Sequence, residues 1–97
     1  MTAETGGGTA RCRVIYSGRV QGVCFRATAL ELSRRRQVVG YVRNCRDGTV
    51  ELEAEGEPDE VEAFLVAVAR EFEGYVASAE RTPLAARGDE SRFEIRY

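Results

Sequence analysis

The sequence predicts an α+β sandwich of βαββαβ order, in which an antiparallel sheet of four to five strands carries both helices on one face. Three observations lead there. A loop bracketed by glycines, residues 18–26 (G-R-V-Q-G-V-C-F-R), joins a strand-like run to a helical one. Residues 50–55 alternate apolar with acidic, the period of a strand with two unlike faces. Val61, Phe64, Leu65, Val68 and Phe72 follow an i, i+3, i+4, i+7, i+11 stripe, which a helix gathers on one side.

Taken in order, residues 1–10 (M-T-A-E-T-G-G-G-T-A) lack periodicity and are expected to be a flexible tail with no part in the chemistry, leaving residues 11–97 as one domain. In residues 11–17, Cys12, Val14 and Tyr16 alternate with Arg13, Ile15 and Ser17, a first strand largely buried on both sides near its end. Phe25, Ala29 and Leu32, with Leu30 alongside, then recur at helical spacing up to Arg34-Arg35-Arg36, three cations suited to the negative end of a helix. Residues 38–44 form the second strand, broken only by Gly40.

A Cys45-Arg46-Asp47-Gly48 turn carries the Asp-Gly hairpin signal. The third strand follows, with Val50, Leu52 and Ala54 on a dry face and Glu51, Glu53 and Glu55 on a face expected to be wet. Pro58 suits the first position of the second helix, Asp59, Glu60 and Glu62 suit its positive end, and Gly74 ends it. Residues 75–81 read as a weaker strand and residues 82–90 as a loop. Phe93, Ile95 and Tyr97 alternate with Arg92, Glu94 and Arg96 as a terminal strand. This order is the split βαβ, or ferredoxin-like, arrangement.

Composition narrows the chemistry. The 97 residues suffice for one domain with a two-layer core, and 43% hydrophobic with 31% charged residues describes a soluble globular chain. The chain has no histidine, no tryptophan and no lysine, so all 14 basic residues are arginine. Ser–His–Asp and Cys–His triads, a phosphohistidine, an H-E-x-x-H zinc site, a Schiff base and a P-loop lysine are therefore excluded. Cys12, Cys24 and Cys45 are odd in number and form no C-x-x-C pair, which fits reduced thiols in the cytoplasm better than a disulfide framework or a zinc site. A net charge of −2 does not suggest a nucleic-acid partner, and no apolar run approaches the length of a membrane span.

What remains points to an anion. A strand that passes through a glycine-containing loop into a helix leaves unpaired N–H groups at the turn, and the helix dipole adds about half a positive charge there. Arg26 falls in the first helical turn beside those donors, where its planar guanidinium is able to grip two phosphate oxygens. The strand–helix–strand crossover makes the first two strands parallel in direction, so the loop and Asn44 meet at one edge of the sheet. With a strand between them they stand two strand spacings apart, roughly 10 Å, which is room for a phosphate and a water. Each residue also has a blander role open to it: a plain connection for the loop, a surface helix position for Arg26, and a turn-former bonding its own backbone for Asn44. Cys24 and Cys45, with no base to activate them, read as buried or partly buried small hydrophobes.

The same residues carry a resemblance. Gly18-Arg19-Val20-Gln21-Gly22-Val23-Cys24-Phe25-Arg26, followed by Gly40-Tyr41-Val42-Arg43-Asn44-Cys45-Arg46-Asp47-Gly48-Thr49-Val50, is similar to the acylphosphatase family over essentially the whole chain after the tail. Two linked motifs stand in the right order, at the spacing one helix requires. Residues 75–87 match only loosely, which leaves the register of the fourth strand open.

The resemblance implies a hydrolase of acyl phosphates that uses no metal and no cofactor, yielding a carboxylate and inorganic phosphate. It implies Arg26 as the phosphate-binding cation, Asn44 as the residue orienting the attacking water, and Gln21, Gly22, Val23, Cys24, Phe25 and Arg26 as the phosphate cradle. The implied partners are a small-molecule acyl phosphate, with inorganic phosphate as product and inhibitor, and neither nucleic acid nor membrane; the chain is expected to be a monomer. Such chemistry suits the absences above, because a carboxylate leaves as a stable anion without a general acid, and a loose phosphoryl transition state asks mainly for positioning and aimed donors. The alternative from another class is a phosphate or acyl-phosphate sensor on the same fold.

Overall fold

The computed structural model describes residues 8–97. The expected tail lies mostly outside the described residues, and its last residue, Ala10, already belongs to a strand. In chain order the elements are β1 (Ala10–Gly18), α1 (Phe25–Ser33), β2 (Val39–Asn44), β3 (Val50–Gly56), α2 (Pro58–Glu71), β4 (Val76–Leu84) and β5 (Phe93–Arg96). The fold is the ferredoxin-like α+β sandwich, with the five strands in the order β4-β1-β3-β2-β5.

The sheet is mixed, where the sequence suggested an antiparallel one. β1 pairs antiparallel with β3 and β4, and β2 pairs antiparallel with β3, but β5 lies parallel to β2, with Gly40 opposite Phe93 and Val42 opposite Ile95. The reason is directional. β4 runs opposite to β1 and β2, so the chain leaves it at the far end of the sheet, crosses to the other outer edge and rises again alongside β2. Consequently β1, β2 and β5 all finish at the same edge.

The core lies between the sheet and the helices. β3 contributes Val50, Leu52 and Ala54, each 0% exposed, against Phe64, Leu65 and Val68 of α2 and Phe25 and Ala29 of α1. Phe25 stacks on Phe72 with ring centroids 4.3 Å apart and tilts against Tyr16 at 4.9 Å. Burying a Phe side chain of this kind stabilises a fold by about 1.5–3 kcal/mol. Gly40 is required by close packing, because at φ +138° a Cβ there would stand 1.9 Å from the Glu53 carbonyl oxygen on the neighbouring strand.

Two element ends differ from the expectation. α1 stops at Ser33, whose Oγ donates to the Leu30 carbonyl at 2.6 Å. The N–H groups of Arg34, Arg35 and Arg36 then reach carbonyls only three residues back, a tighter turn that is not a last helical turn. β4 extends to Leu84, which pairs with Arg11. Pro83 is tolerated there because an outer strand leaves one side without ladder bonds.

The glutamate face of β3 is not wet. Glu51, Glu53 and Glu55 are 9%, 6% and 4% exposed; Glu53 and Glu55 gather around Arg11, which is 2% exposed, and Glu51 pairs with Arg13 and Arg43. Arg11 donates to Glu53 at 2.7 Å, Glu55 at 2.9 Å and Glu90 at 2.7 Å. The backbone N–H groups of Arg87 and Gly88 close on Glu55 at 2.8 and 2.9 Å, so residues 87–90 roof the sheet opposite the helices. Buried charge survives because each carboxylate has a cationic or N–H partner.

Candidate active site

At the shared edge, β1 ends in a bulge between Ser17 and Gly18, and the Arg19 N–H closes on the Tyr75 carbonyl at 2.9 Å. Gly18 has φ +115°, and a Cβ on it would stand 2.5 Å from the backbone at Ala77 and Tyr75. The start of the loop is thereby pressed against β4. Val20, fully buried, anchors the underside of the loop in the core.

Cys24 precedes α1 in the left-handed conformation, φ 64° and ψ 27°, and accepts the Thr28 N–H at 3.0 Å as the helix begins. Among the described residues no side chain caps the helix, so the first N–H groups of α1 are without a side-chain partner, and Cys24, Phe25, Arg26 and Ala27 at this end of the helix line the cleft described below. Cys24 is exposed, contrary to the expectation of a buried or partly buried thiol; the left-handed turn sets it at the surface of the loop. Phe25 plugs the core with its ring, and Arg26 follows it on the first turn.

Gly22, Cys24, Phe25, Arg26 and Asn44 line one cleft of about 210 Å³, together with Val20, Ala27, Ile95 and Tyr97. The crossover geometry thus brings the loop and Asn44 to the same cleft. Arg26 makes no ion pair among the described residues; its guanidinium carbon lies 4.8 Å from the centre of the Tyr97 ring. By contrast, Arg43 is taken up by Glu51 at 2.6 Å. Arg19 sits over Tyr75 at 5.2 Å.

Asn44 is the last residue of β2, opposite Val50. Its carboxamide makes no hydrogen bond among the described residues, and the turn that follows is stiffened by other groups. Asp47 accepts from the Thr49 N–H at 3.1 Å and the Thr49 hydroxyl at 2.6 Å, which holds its carboxyl below the ordinary range. Cys45 N–H donates to the Thr49 carbonyl at 2.8 Å, and Gly48 N–H to the Cys45 carbonyl at 3.2 Å.

Gln21 and Val23, expected in the phosphate cradle, do not line the cleft. The Gln21 amide instead donates to the Cys45 carbonyl at 2.8 Å and the Thr49 carbonyl at 2.9 Å. Val20, Ala27, Ile95 and Tyr97 also line the cleft, although the sequence pattern singles none of them out for the site; for Ile95 and Tyr97 a signal exists. The available signal was direction, since a terminal strand parallel to β2 must finish beside Asn44.

A family model described as Acylphosphatase matches residues 12–95. The chain is 40% identical over 88 residues to an acylphosphatase of Geobacillus kaustophilus (strain HTA426), covering 90% of this chain and 94% of that one. It is 55% identical over 56 residues to an acylphosphatase of Anaeromyxobacter sp. (strain Fw109-5), a stretch spanning 58% of this chain and 60% of that relative's length. The crystal structure of acylphosphatase from Bacillus subtilis superposes with a TM-score of 0.83 at 34% identity, covering 91% of this chain and 99% of that one.

Proposed function

This chain belongs to the acylphosphatase family, and we propose that it hydrolyses the carboxyl–phosphate bond of acyl phosphates by direct attack of a water oriented at Asn44 on a phosphoryl group held by Arg26 and the loop amides. The observation that carries this reading is the single cleft lined by Gly22, Cys24, Phe25, Arg26 and Asn44, with Arg26 unpaired among the described residues. A binding or sensor role without turnover is not favoured by this kinship.

The phosphoryl oxygens lie in the cradle, gripped by the Arg26 fork and by N–H groups of the cleft-lining loop residues Gly22, Cys24, Phe25 and Arg26. Asn44, across the cleft, accepts from a water through its carboxamide oxygen and points a lone pair of that water at phosphorus. As the new P–O bond forms, the P–O bond to the acyl group breaks and its electron pair leaves as a carboxylate. One proton of the attacking water passes to a phosphoryl oxygen and the other stays on the new hydroxyl, so a dianionic acyl phosphate and water become a carboxylate and dihydrogen phosphate. The substrate itself serves as the base, which suits a cleft with no imidazole. Negative charge spreads over the phosphoryl oxygens in the loose transition state, where preorganised donors act most strongly.

The active unit we infer is a single chain in the cytoplasm, because one chain supplies every residue of the cleft and its three thiols are unpaired. The test is hydrolysis of an aryl acyl phosphate such as benzoyl phosphate. Turnover indifferent to EDTA and inhibited competitively by inorganic phosphate is the expected result. Activity abolished by EDTA and restored by a divalent cation would overturn the mechanism.

A further inference from the structure

Two hydrogen bonds join the loop at residues 18–24 to the turn at residues 44–49 among the described residues, and both come from one nitrogen, Nε2 of Gln21. We propose that Gln21 is a positioning residue that sets the distance between the phosphate loop and Asn44; this deepens, and rests on, the reading of Arg26 and Asn44 given above.

A carboxamide nitrogen has two hydrogens, and here each has its own acceptor, the Cys45 carbonyl at 2.8 Å and the Thr49 carbonyl at 2.9 Å. Both carbonyls already accept one bond inside the turn, from Gly48 N–H and Cys45 N–H respectively, and Gln21 takes the second lone pair of each. The two acceptors flank the peptide link that leaves Asn44: Cys45 is the next residue, and its N–H is the donor to Thr49. Gripping both from one point fixes the separation of loop and turn and also their relative rotation. The strand ladder does not reach this far, since β1 meets β3 last at Tyr16 and Val50. The loop holds the phosphoryl group and the turn holds the water, so Gln21 sets how closely the two reactants approach. A misplacement of about 1 Å at such a centre costs on the order of 10²-fold in rate.

The test is Gln21→Met, which keeps the length of the side chain and removes both donors, made alone and together with Asn44→Ala. Gln21 is exposed, so the substitution buries no orphaned group, and circular dichroism checks the fold. The expected result is a fall in kcat of about 10- to 10²-fold while the phosphate inhibition constant stays within about twofold, a split that loss of a phosphate contact would not produce. In the Asn44→Ala background the same change is expected to remove less than about twofold more, because the residue it positions is gone. An unchanged kcat in Gln21→Met overturns the proposal, as does a matching loss in phosphate affinity, or a loss fully additive with Asn44→Ala. If Asn44→Ala alone keeps wild-type kcat, the reading of Asn44 itself falls, and this inference with it.

Discussion

The guanidinium of Arg26, at the start of α1, stacks over the ring of Tyr97, its carbon 4.8 Å from the ring centre. The cleft's cation therefore meets a residue beyond the end of β5, and Tyr97 is itself 96% exposed. An exposed cation–π contact contributes about 0.5–1 kcal/mol, so Tyr97→Leu is expected to raise KM and the phosphate inhibition constant about twofold to fivefold with kcat nearly unchanged. Arg26→Ala is expected to worsen KM and kcat together, and Arg26→Lys to restore little, because an ammonium lacks the bidentate fork. Steady-state kinetics with phosphate inhibition on the three variants separates the aromatic ring from the binding cation.

Asn44→Ala is expected to lower kcat by ~10²–10³-fold, the magnitude for losing one preorganised group, with phosphate affinity and thermal midpoint little changed. The stability should hold because Asp47 and Gln21, not the Asn44 carboxamide, carry the side-chain bonds of the turn. Asn44→Asp keeps an acceptor for the water but sets a negative charge beside the phosphate, so it is expected to weaken phosphate binding as well. A variant that lost stability and kept kcat would assign Asn44 to the turn alone.

Arg11 answers three carboxylates on the face of the sheet opposite the helices. Removing one member of such a cluster leaves uncompensated buried charge, which costs about 3–5 kcal/mol. Arg11→Met is expected to lose stability on that scale in urea unfolding, with kcat of the folded protein unchanged. Replacing Glu53 and Glu55 with glutamine in the same chain should recover part of the loss, since the orphaned charges are then absent.

Acid should act through the same cluster. Burial pushes the Glu53 carboxyl up, but hydrogen bonds from Arg11, Tyr41 and Arg13 outweigh it and hold the group below its ordinary value. Glu55 behaves alike, with burial opposed by the Arg87 N–H, Arg11 and the Gly88 N–H. The unfolded chain, whose glutamates titrate near about 4.3, then binds more protons than the folded chain between the two values, so stability rises with pH across that interval. It is fully present above the unfolded value and is lost as pH falls through the folded ones. The thermal midpoint is expected to stay level from neutral pH down to about 5 and to drop below that, with a shallower drop in Glu55→Gln. At the alkaline end, burial first and then its bond to Glu53 push Tyr41 up to about 12, so stability should decline above pH ~10 as the unfolded tyrosine ionises first.

Much of this was legible along the chain because it is local. The α2 stripe, the turn before β3 and the loop entering α1 are patterns of neighbouring residues, and the crossover rule then placed Asn44 near the loop. The glutamate face was misread because its burial depends on Arg11, Glu90 and the backbone of Arg87 and Gly88, which no periodicity within β3 reveals. Cys24 was misread because a left-handed residue before a helix carries no sequence mark other than glycine or asparagine. Ile95 and Tyr97 went unassigned because the direction of β5 depends on where the chain crosses after β4. The hydrogen bonds of Gln21 leave no mark in the sequence for a different reason: their acceptors are backbone carbonyls.

The sheet order has a consequence for the time course of synthesis. Among the described residues only the β2–β3 hairpin pairs strands adjacent in the chain; Val14 finds Leu52 on one side and Arg81 on the other, and Val42 waits for Ile95. Contacts this distant must meet their loop-closure entropy before they return any stabilisation, which places such folds among the slower-folding small domains. As the chain leaves the ribosome, the loop at residues 18–24 and Asn44 emerge long before the strand that walls their cleft. A half-made chain therefore holds the parts of the cleft without the cleft, which is complete only when β5 docks against β2.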